Sequence, residues 1–375
     1  MSFISRIFSV GLVLSLCSLL IVPLNAAAQK SDEELRARAM DQGRTLQSRI
    51  RALKKLYAHM LIDGEIPTRS VCVWDVMGTQ GPIYNTTVDQ QLRMRHYGIN
   101  IDVRAYTNEQ DVVDKLINGE CDTSVMSGAK ARQFNPYTAT VEALGGVPSQ
   151  QHLKVLLQVL ASPQAASKMV HNEYVILGIV PIGENYIFTR EGEGKTPTLK
   201  RVFKGTAAVL SEDVSLPPLY KAFASNVKEE TTYAKAAGLF NRGEADLLIS
   251  PLVGHAMFGL SAGNKHGQIV ENPVSQMTLQ IVSKTHLVPP EVAQLFREDL
   301  FLKLNLLYRE VDKISKEIPA EKKVQFPERE LQHFNRTLAE VRTRLTQQGV
   351  YDKSMMKLQR KIRCKLDATL SECKR

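Results

Sequence analysis

Apolar positions along this chain fall into three patterns. From Ile7 to Val22 they run almost without a break. From Ser31 to Ile62 they recur every three, four or seven residues, at Leu35, Ala39, Leu46, Ile50, Leu53, Leu56 and Met60, with charges between them. That period predicts an amphipathic helical segment over 31–62. Ser31 followed by Glu34 reads as its capping box, and Gly64 and Pro67 as its end. From Val71 onward, short apolar runs alternate with helical periods.

The alternating region begins with a strand at Val71–Trp74, a Gly-rich turn at Met77–Pro82 and a helix at Asn85–Tyr97. A strand at Ile99–Tyr106, a helix at Asn108–Asn118 capped by Asn108, a strand at Thr123–Met126 and a loop at Ser127–Asn135 follow. This β-α-β-α-β order predicts a parallel, right-handed doubly wound sheet. Beyond it, Leu153–Met169 reads as helical, with a second turn from Pro163. Glu173–Phe188 is a long β-rich stretch broken at Pro181-Ile182-Gly183, suited to cross between two lobes. Thr206–Leu210, a helix near Pro218–Ser225, a helix at Thr231–Asn241 and a strand at Ala245–Ile249 repeat the alternation. Two strands at Gln268–Glu271 and Gln276–Ser283 precede three helices at about 290–316, 327–348 and 351–371.

The expected class is α/β: a two-lobed clamp with extra N- and C-terminal helices. Its divisions are a helical segment at 29–67, a first lobe at 68–180 completed by part of 265–325, a second lobe at 181–264, return strands and a long helix at 265–325, and a helical extension at 326–375.

The first pattern sets the compartment. One positive charge at Arg6, the apolar run and Ala26-Ala27-Ala28 follow the order of a secretory signal peptide over 1–28. Cleavage is expected after Ala28, leaving Gln29 first and the protein in the periplasm. The run is short for a spanning helix, which needs about 20 apolar residues. Leu16 before Cys17 stands where a lipoprotein needs a small residue. No later stretch is long and apolar enough to span a membrane.

The net charge of +9 brings nucleic acid to mind, but Lys and Arg are interleaved with Asp and Glu, as on a solvated surface. No nucleic-acid partner is expected. Four cysteines remain after Cys17 is removed, which suggests two disulfides in an oxidising compartment. In the expected sheet the first and third strands are neighbours, with Cys72 and Cys121 at the same end. That favours Cys72–Cys121, leaving Cys364–Cys373 to close a loop in the tail.

Ligands in open α/β sheets sit at the carboxyl ends of strands. The candidates there are Trp74, Asp75, Thr79 and Gly81 after the first strand, and Ser127, Gly128 and Arg132 after the third. Asn185 and Tyr186 lie just past the break at Gly183, and Ser211 and Ser250 follow strands of the second lobe. Trp74 suits either a cleft wall or the core. The Gly-x-x-Gly after it lacks the rest of a P-loop or dinucleotide motif. There is no Gly-x-Ser-x-Gly elbow and no His-Glu-x-x-His helix. The expectation is a binding protein without catalysis, cofactor or metal.

Leu199-Lys200-Arg201-Val202-Phe203-Lys204-Gly205 before a strand, and Ala236–Asp246 before Ser250-Pro251, resemble the second-lobe motifs of TRAP-type extracytoplasmic solute receptors. Cys72-Val73-Trp74-Asp75 and Ala143-Leu144-Gly145-Gly146-Val147-Pro148 resemble a divergent, AdeT-like branch of them. The likeness covers about 70–310. It implies a type II periplasmic-binding fold, closure about a hinge near Gly183, capture of a small molecule such as an organic acid, and delivery to membrane transporter subunits. One departure stands out. Where such receptors place arginines for a substrate carboxylate, this chain has Val209 and, nearby, Asn185. Arg132 or Arg190 would have to substitute, or the ligand is neutral or apolar. The competing reading is an envelope interaction protein using the same fold within a transport or efflux complex, suggested by the extra helices at 31–62 and 327–371.

Overall fold

The computed structural model describes residues 22–374. The signal-peptide reading rests mainly on residues 1–21, which lie outside the described residues. The chain separates into two compact units, one up to Pro67 together with Arg95–Ile99 and one holding the rest. In the smaller unit, helices span Val22–Met40 and Leu46–Leu56, where one continuous segment was expected from Ser31. Ser31 and Glu34 lie inside the first helix and cap nothing there. The break falls at Asp41–Arg44, where Asp41 turns its carboxylate onto the Gly43 amide at 3.0 Å, and Thr45 caps the second helix.

The larger unit is built on ten strands: β1 Arg69–Trp74, β2 Ile101–Tyr106, β3 Thr123–Ser127, β4 Val170–His171, β5 Tyr174–Gly192, β6 Thr206–Leu210, β7 Asn226–Glu230, β8 Leu247–Pro251, β9 Gly267–Lys284 and β10 Lys323–Val324. Among the described residues they form one sheet in the order β2-β1-β3-β9-β5-β8-β6-β7, with β4 beside β5 and β10 beside β9. β1 is parallel to both β2 and β3, as the alternation predicts. Val71–Trp74 and all of β3 are buried, the continuous pattern of strands covered on both faces. Cys72 and Cys121 are bonded with their Cα atoms 5.9 Å apart, and Cys364 and Cys373 at 5.5 Å.

The two-lobed character comes from β5 and β9. They run antiparallel through the middle of the sheet over almost their whole lengths. β3 joins β9 along Leu279–Ser283, whereas β8 joins β5 along Asn185–Thr189. The β2-β1-β3 group and the β8-β6-β7 group therefore hang from different halves of one central ribbon. Each has its own apolar core, one around Val73, Leu116, Met126 and Leu156, the other around Val209, Leu219, Leu247 and Phe334. The ribbon's register slips at Pro181/Gly183, between those halves, and again at Asn185/Ile187.

Four local readings change. Gln268–Glu271 and Gln276–Ser283 belong to the single strand β9, bulged between Val270 and Ser275, where Pro273 has no N–H to give. Ser127 is no loop residue but the cap of a short helix, Gly128–Ala131. The helix expected over 290–316 is two, Pro290–Leu302 and Leu304–Lys316, and the last helix ends at Leu366. β7 was not anticipated at all.

The two C-terminal helices tie the core groups together. Glu328–Gln347 packs Phe334 against Phe203 and Phe223, with ring centroids 6.2 Å apart in both pairs, and Glu330 accepts from the Leu199 amide at 2.6 Å. Lys353–Leu366 turns back to the other group. There Gln359 Nε2 donates to the Thr140 carbonyl at 2.7 Å and Arg363 to the Gly146 carbonyl at 2.6 Å.

Candidate functional site

The strand-end candidates separate on inspection. Asp75 is fully buried, and its carboxylate accepts from the Met77, Ile83 and Tyr84 amides at 3.0, 2.8 and 3.0 Å. It closes the turn and caps the helix Pro82–His96. Gly81 is there because a Cβ would lie 1.7 Å from Asp75 Oδ1. Thr79 and Ser211 are exposed. Ser250 is fully buried and donates to the Pro251 carbonyl at 3.2 Å. Asn185 donates to Ser275 Oγ at 2.9 Å within the ribbon, and Tyr186 packs beside the core of Phe188 and Phe240. Arg190 donates to the Phe240 carbonyl at 2.5 Å, at the carboxyl end of the helix Tyr233–Arg242. Val209 lies in the apolar core.

Of the eleven candidates, Trp74 alone lines the main cleft among the described residues. The space between its walls, open solvent included, comes to about 430 Å³. One wall carries Trp74, Val76, Thr107–Gln110 and Lys130; the other carries Leu210, Glu212 and Thr231–Ala234. The walls thus come from the β2-β1-β3 side and the β8-β6-β7 side. Lys130 bridges them with an ion pair to Glu212 and a 2.7 Å bond to Gln110. Only about a tenth of its side chain is exposed. Thr107–Gln110 follows β2, where the strand-end rule applies, though none of these residues stood out by type. Thr231–Tyr233 follows β7, so missing that strand hid its wall.

Behind the cleft lies an unusual concentration of carboxyl groups. Burial raises Glu109 to about 7, against the Ser127 N–H and nearby Lys130, which favour its charge, while Glu212 pushes the same way as burial. Glu109 accepts from the Ser127 amide at 2.5 Å. Burial also raises Glu142 to about 7; Thr278 opposes it through its amide and hydroxyl, both 2.7 Å from Oε1. Gly128 makes room, since a Cβ there would come 2.3 Å from that oxygen. Asp213, across the cleft, is raised by burial although the Ser215 and Leu216 amides reach its Oδ1 at 2.7 and 2.8 Å. Tyr233 lines the cleft near them. Burial raises its hydroxyl far above the usual value, and Asp213, Glu142 and Glu109 all add to the shift. Arg132 favours the charged forms of Glu142 and Asp213, donates to the Val350 carbonyl at 2.5 Å and lies 5.8 Å from the Tyr351 ring centroid.

Such an arrangement offers shape and charge to a ligand. Among the described residues no His/Cys/Asp/Glu group is placed to hold a metal, and no helix is long and apolar enough to cross a membrane.

The family model described as "Solute-binding protein AdeT 1/2" matches residues 75–375. The probable solute-binding protein AdeT1 of Acinetobacter baumannii is 28% identical over 303 residues, covering 80% of this chain and 98% of the relative. A TRAP periplasmic solute-binding protein from Desulfovibrio salexigens, solved with orotic acid, superposes with a TM-score of 0.62 at 11% identity, over 80% of this chain and 99% of the other. Another from Bradyrhizobium sp., solved with galacturonate, gives 0.62 at 15%, over 79% and 98%. These structural likenesses are to a shared fold.

Proposed function

We propose that this chain, which belongs to the AdeT 1/2 family of solute-binding proteins, captures a small molecule between its two lobes and hands it to a TRAP-type membrane transporter. The observation that carries this reading is the cleft, whose two walls come from opposite sides of the β5–β9 ribbon. Closing such a cleft buries a ligand against both lobes, and opening it releases the ligand. The register slips around Pro181 and Gly183 lie between the strand groups and suit a hinge.

The lobes are taken as 68–180 with part of 265–325, and 181–264, with 326–375 as an extension. The mature protein starts at Gln29 in the periplasm, and the site performs no catalysis. Trp74 is the one original candidate kept at the ligand surface, joined by Lys130, Glu212 and Tyr233.

A thermal-shift screen of the chain from Gln29, run against metabolites of all charge classes, tests the proposal. A ligand that binds the folded state alone raises the melting temperature, by about 2.7 kcal/mol of stability at a hundred times its Kd. The expected result is a concentration-dependent rise for one chemical class. A flat response across every class would overturn the reading.

A further inference from the structure

The last helix, Lys353–Leu366, divides its faces by charge. Met355, Gln359, Ile362 and Arg363 are buried against the fold. Its exposed residues are Lys353, Ser354, Lys357, Arg360, Lys361 and Lys365. At 3.6 residues per turn these fall within about 140° of the circumference, along a helix about 20 Å long. All but Ser354 are cations. No Asp or Glu occurs anywhere in the helix.

This charge is uncompensated. Among the described residues, Lys353, Lys357, Lys361 and Lys365 make no ion pair and no hydrogen bond. Other surface cations stand against carboxylates: Lys115 on Glu120, Lys228 and Arg242 on Glu244, Lys322 on Glu193. The acids that flank the helix in sequence are bonded elsewhere. Asp352 accepts from the Ser354 and Met355 amides, Asp367 from the Thr369 amide and hydroxyl, and Glu372 from buried Arg363. Arg360 donates to the Glu372 carbonyl at 2.9 Å, a partner without charge. The Cys364–Cys373 disulfide fixes the tail to the same helix, and exposed Lys374 follows it. Lys353, Lys357, Lys361 and Lys365 form successive like-charge pairs four residues apart, each of which destabilises a helix. An opposing negative surface would relieve that repulsion.

The composition of the arc selects among negative surfaces. Protein interfaces centre on aromatic or apolar anchors and are depleted in Lys. This arc exposes no apolar side chain. Its cations are Lys except for Arg360, point charges on flexible stems rather than forks that fit a fixed phosphate geometry. Clusters of this kind suit a layer of many phosphate headgroups. We propose that the outer face of Lys353–Leu366 docks the protein on an anionic phospholipid surface. The helix lies on the headgroups without inserting, because the arc has no apolar residue to insert. Such docking would hold the cleft beside the transporter to which the solute is handed. The surface itself is independent of which solute binds.

Flotation of the chain from Gln29 with vesicles of phosphatidylglycerol and phosphatidylethanolamine tests the proposal, with phosphatidylcholine vesicles and duplex DNA as comparisons. The expected result is binding to the anionic vesicles alone, lost in about 1 M salt, where the screening length falls to about 3 Å. Replacing Lys353, Lys357, Lys361 and Lys365 together by Gln should weaken it at least about tenfold. Replacing Lys200, Lys204, Lys221 and Lys265, four exposed lysines elsewhere, removes the same charge and should change it less than about twofold. Equal losses in the two variants would show attraction by net charge and overturn the assignment. So would binding to duplex DNA alone, or to neither. A polarity-sensitive fluorophore on S354C, in the otherwise unaltered chain, gives a second reading should the first variant misfold. Its emission should shift on anionic vesicles, and an unchanged spectrum with bound protein would place the contact on another face. No readout needs a solute, so failure of the docking face and failure of the solute screen are separate results.

Discussion

Glu109 accepts from the Ser127 amide, and Glu142 from the Thr278 amide and hydroxyl, both in places that favour a proton. Their folded values near 7 lie above the ordinary 4.5, so the folded chain binds more protons than the unfolded one between those limits. The stability they contribute is complete below about pH 4.5 and is lost as the pH climbs through 7. Melting temperature should therefore fall between pH 5 and pH 8, by an amount equivalent to about 2–3 kcal/mol per carboxyl. E109Q and E142Q should each flatten that slope; a profile unchanged in both would refute the assignment. Gly81 is a second residue-scale test. G81A would push a methyl into a carboxylate fixed by three amides, and should lower stability by about 2–3 kcal/mol in urea unfolding. The type of Asp75 drew attention to the right turn, but its role there is architectural. No sequence pattern marks a carboxylate whose three donors are all main-chain amides.

Elements were more legible than residues. β1, β3 and β6 are short apolar runs, and the parallel β2-β1-β3 order follows from the helices between them. That order correctly placed Cys72 next to Cys121. β7 escaped because Asn226-Val227-Lys228-Glu229-Glu230 is a charged edge strand with one apolar residue, and charge is how edges avoid pairing with other chains. The helix break at Asp41–Arg44 escaped because apolar spacing continues across it. The disulfides differ in what they constrain. Cys72–Cys121 closes a separation of 49 residues and Cys364–Cys373 one of nine. Chain entropy puts their contributions at about 4 and about 3 kcal/mol. Paired serine substitutions followed by calorimetry should rank them in that order, and a reversed ranking would count against the entropic account.

At the scale of the whole molecule, the strand groups are joined through β5 and β9 and again by the C-terminal helices. Glu328–Gln347 belongs mainly to one core, Lys353–Leu366 to the other side, and the Val350–Tyr351 turn between them meets Arg132 and the Leu144 amide. The sequence showed these helices but not what they cover, because an amphipathic period states that a face is buried without saying against which surface. A chain ending at Gln348 loses the Gln359 and Arg363 contacts to the Thr140 and Gly146 carbonyls, leaving Thr140 with the Ala143 amide alone. It should unfold at lower urea, with a loss above about 3 kcal/mol; an unchanged midpoint would show that the last helix is decoration.

That hairpin also sets an order of assembly. It follows every described strand of the sheet in the chain, so it leaves the ribosome after all of them. Until it arrives, the carbonyls of Thr140 and Gly146 lack their Gln359 and Arg363 donors, and Phe203 lacks its Phe334 neighbour. The cleft therefore reaches its finished form only some time after its strands have been made. A chain stalled or clipped ahead of this hairpin would be recognisable to quality-control proteases as unfinished.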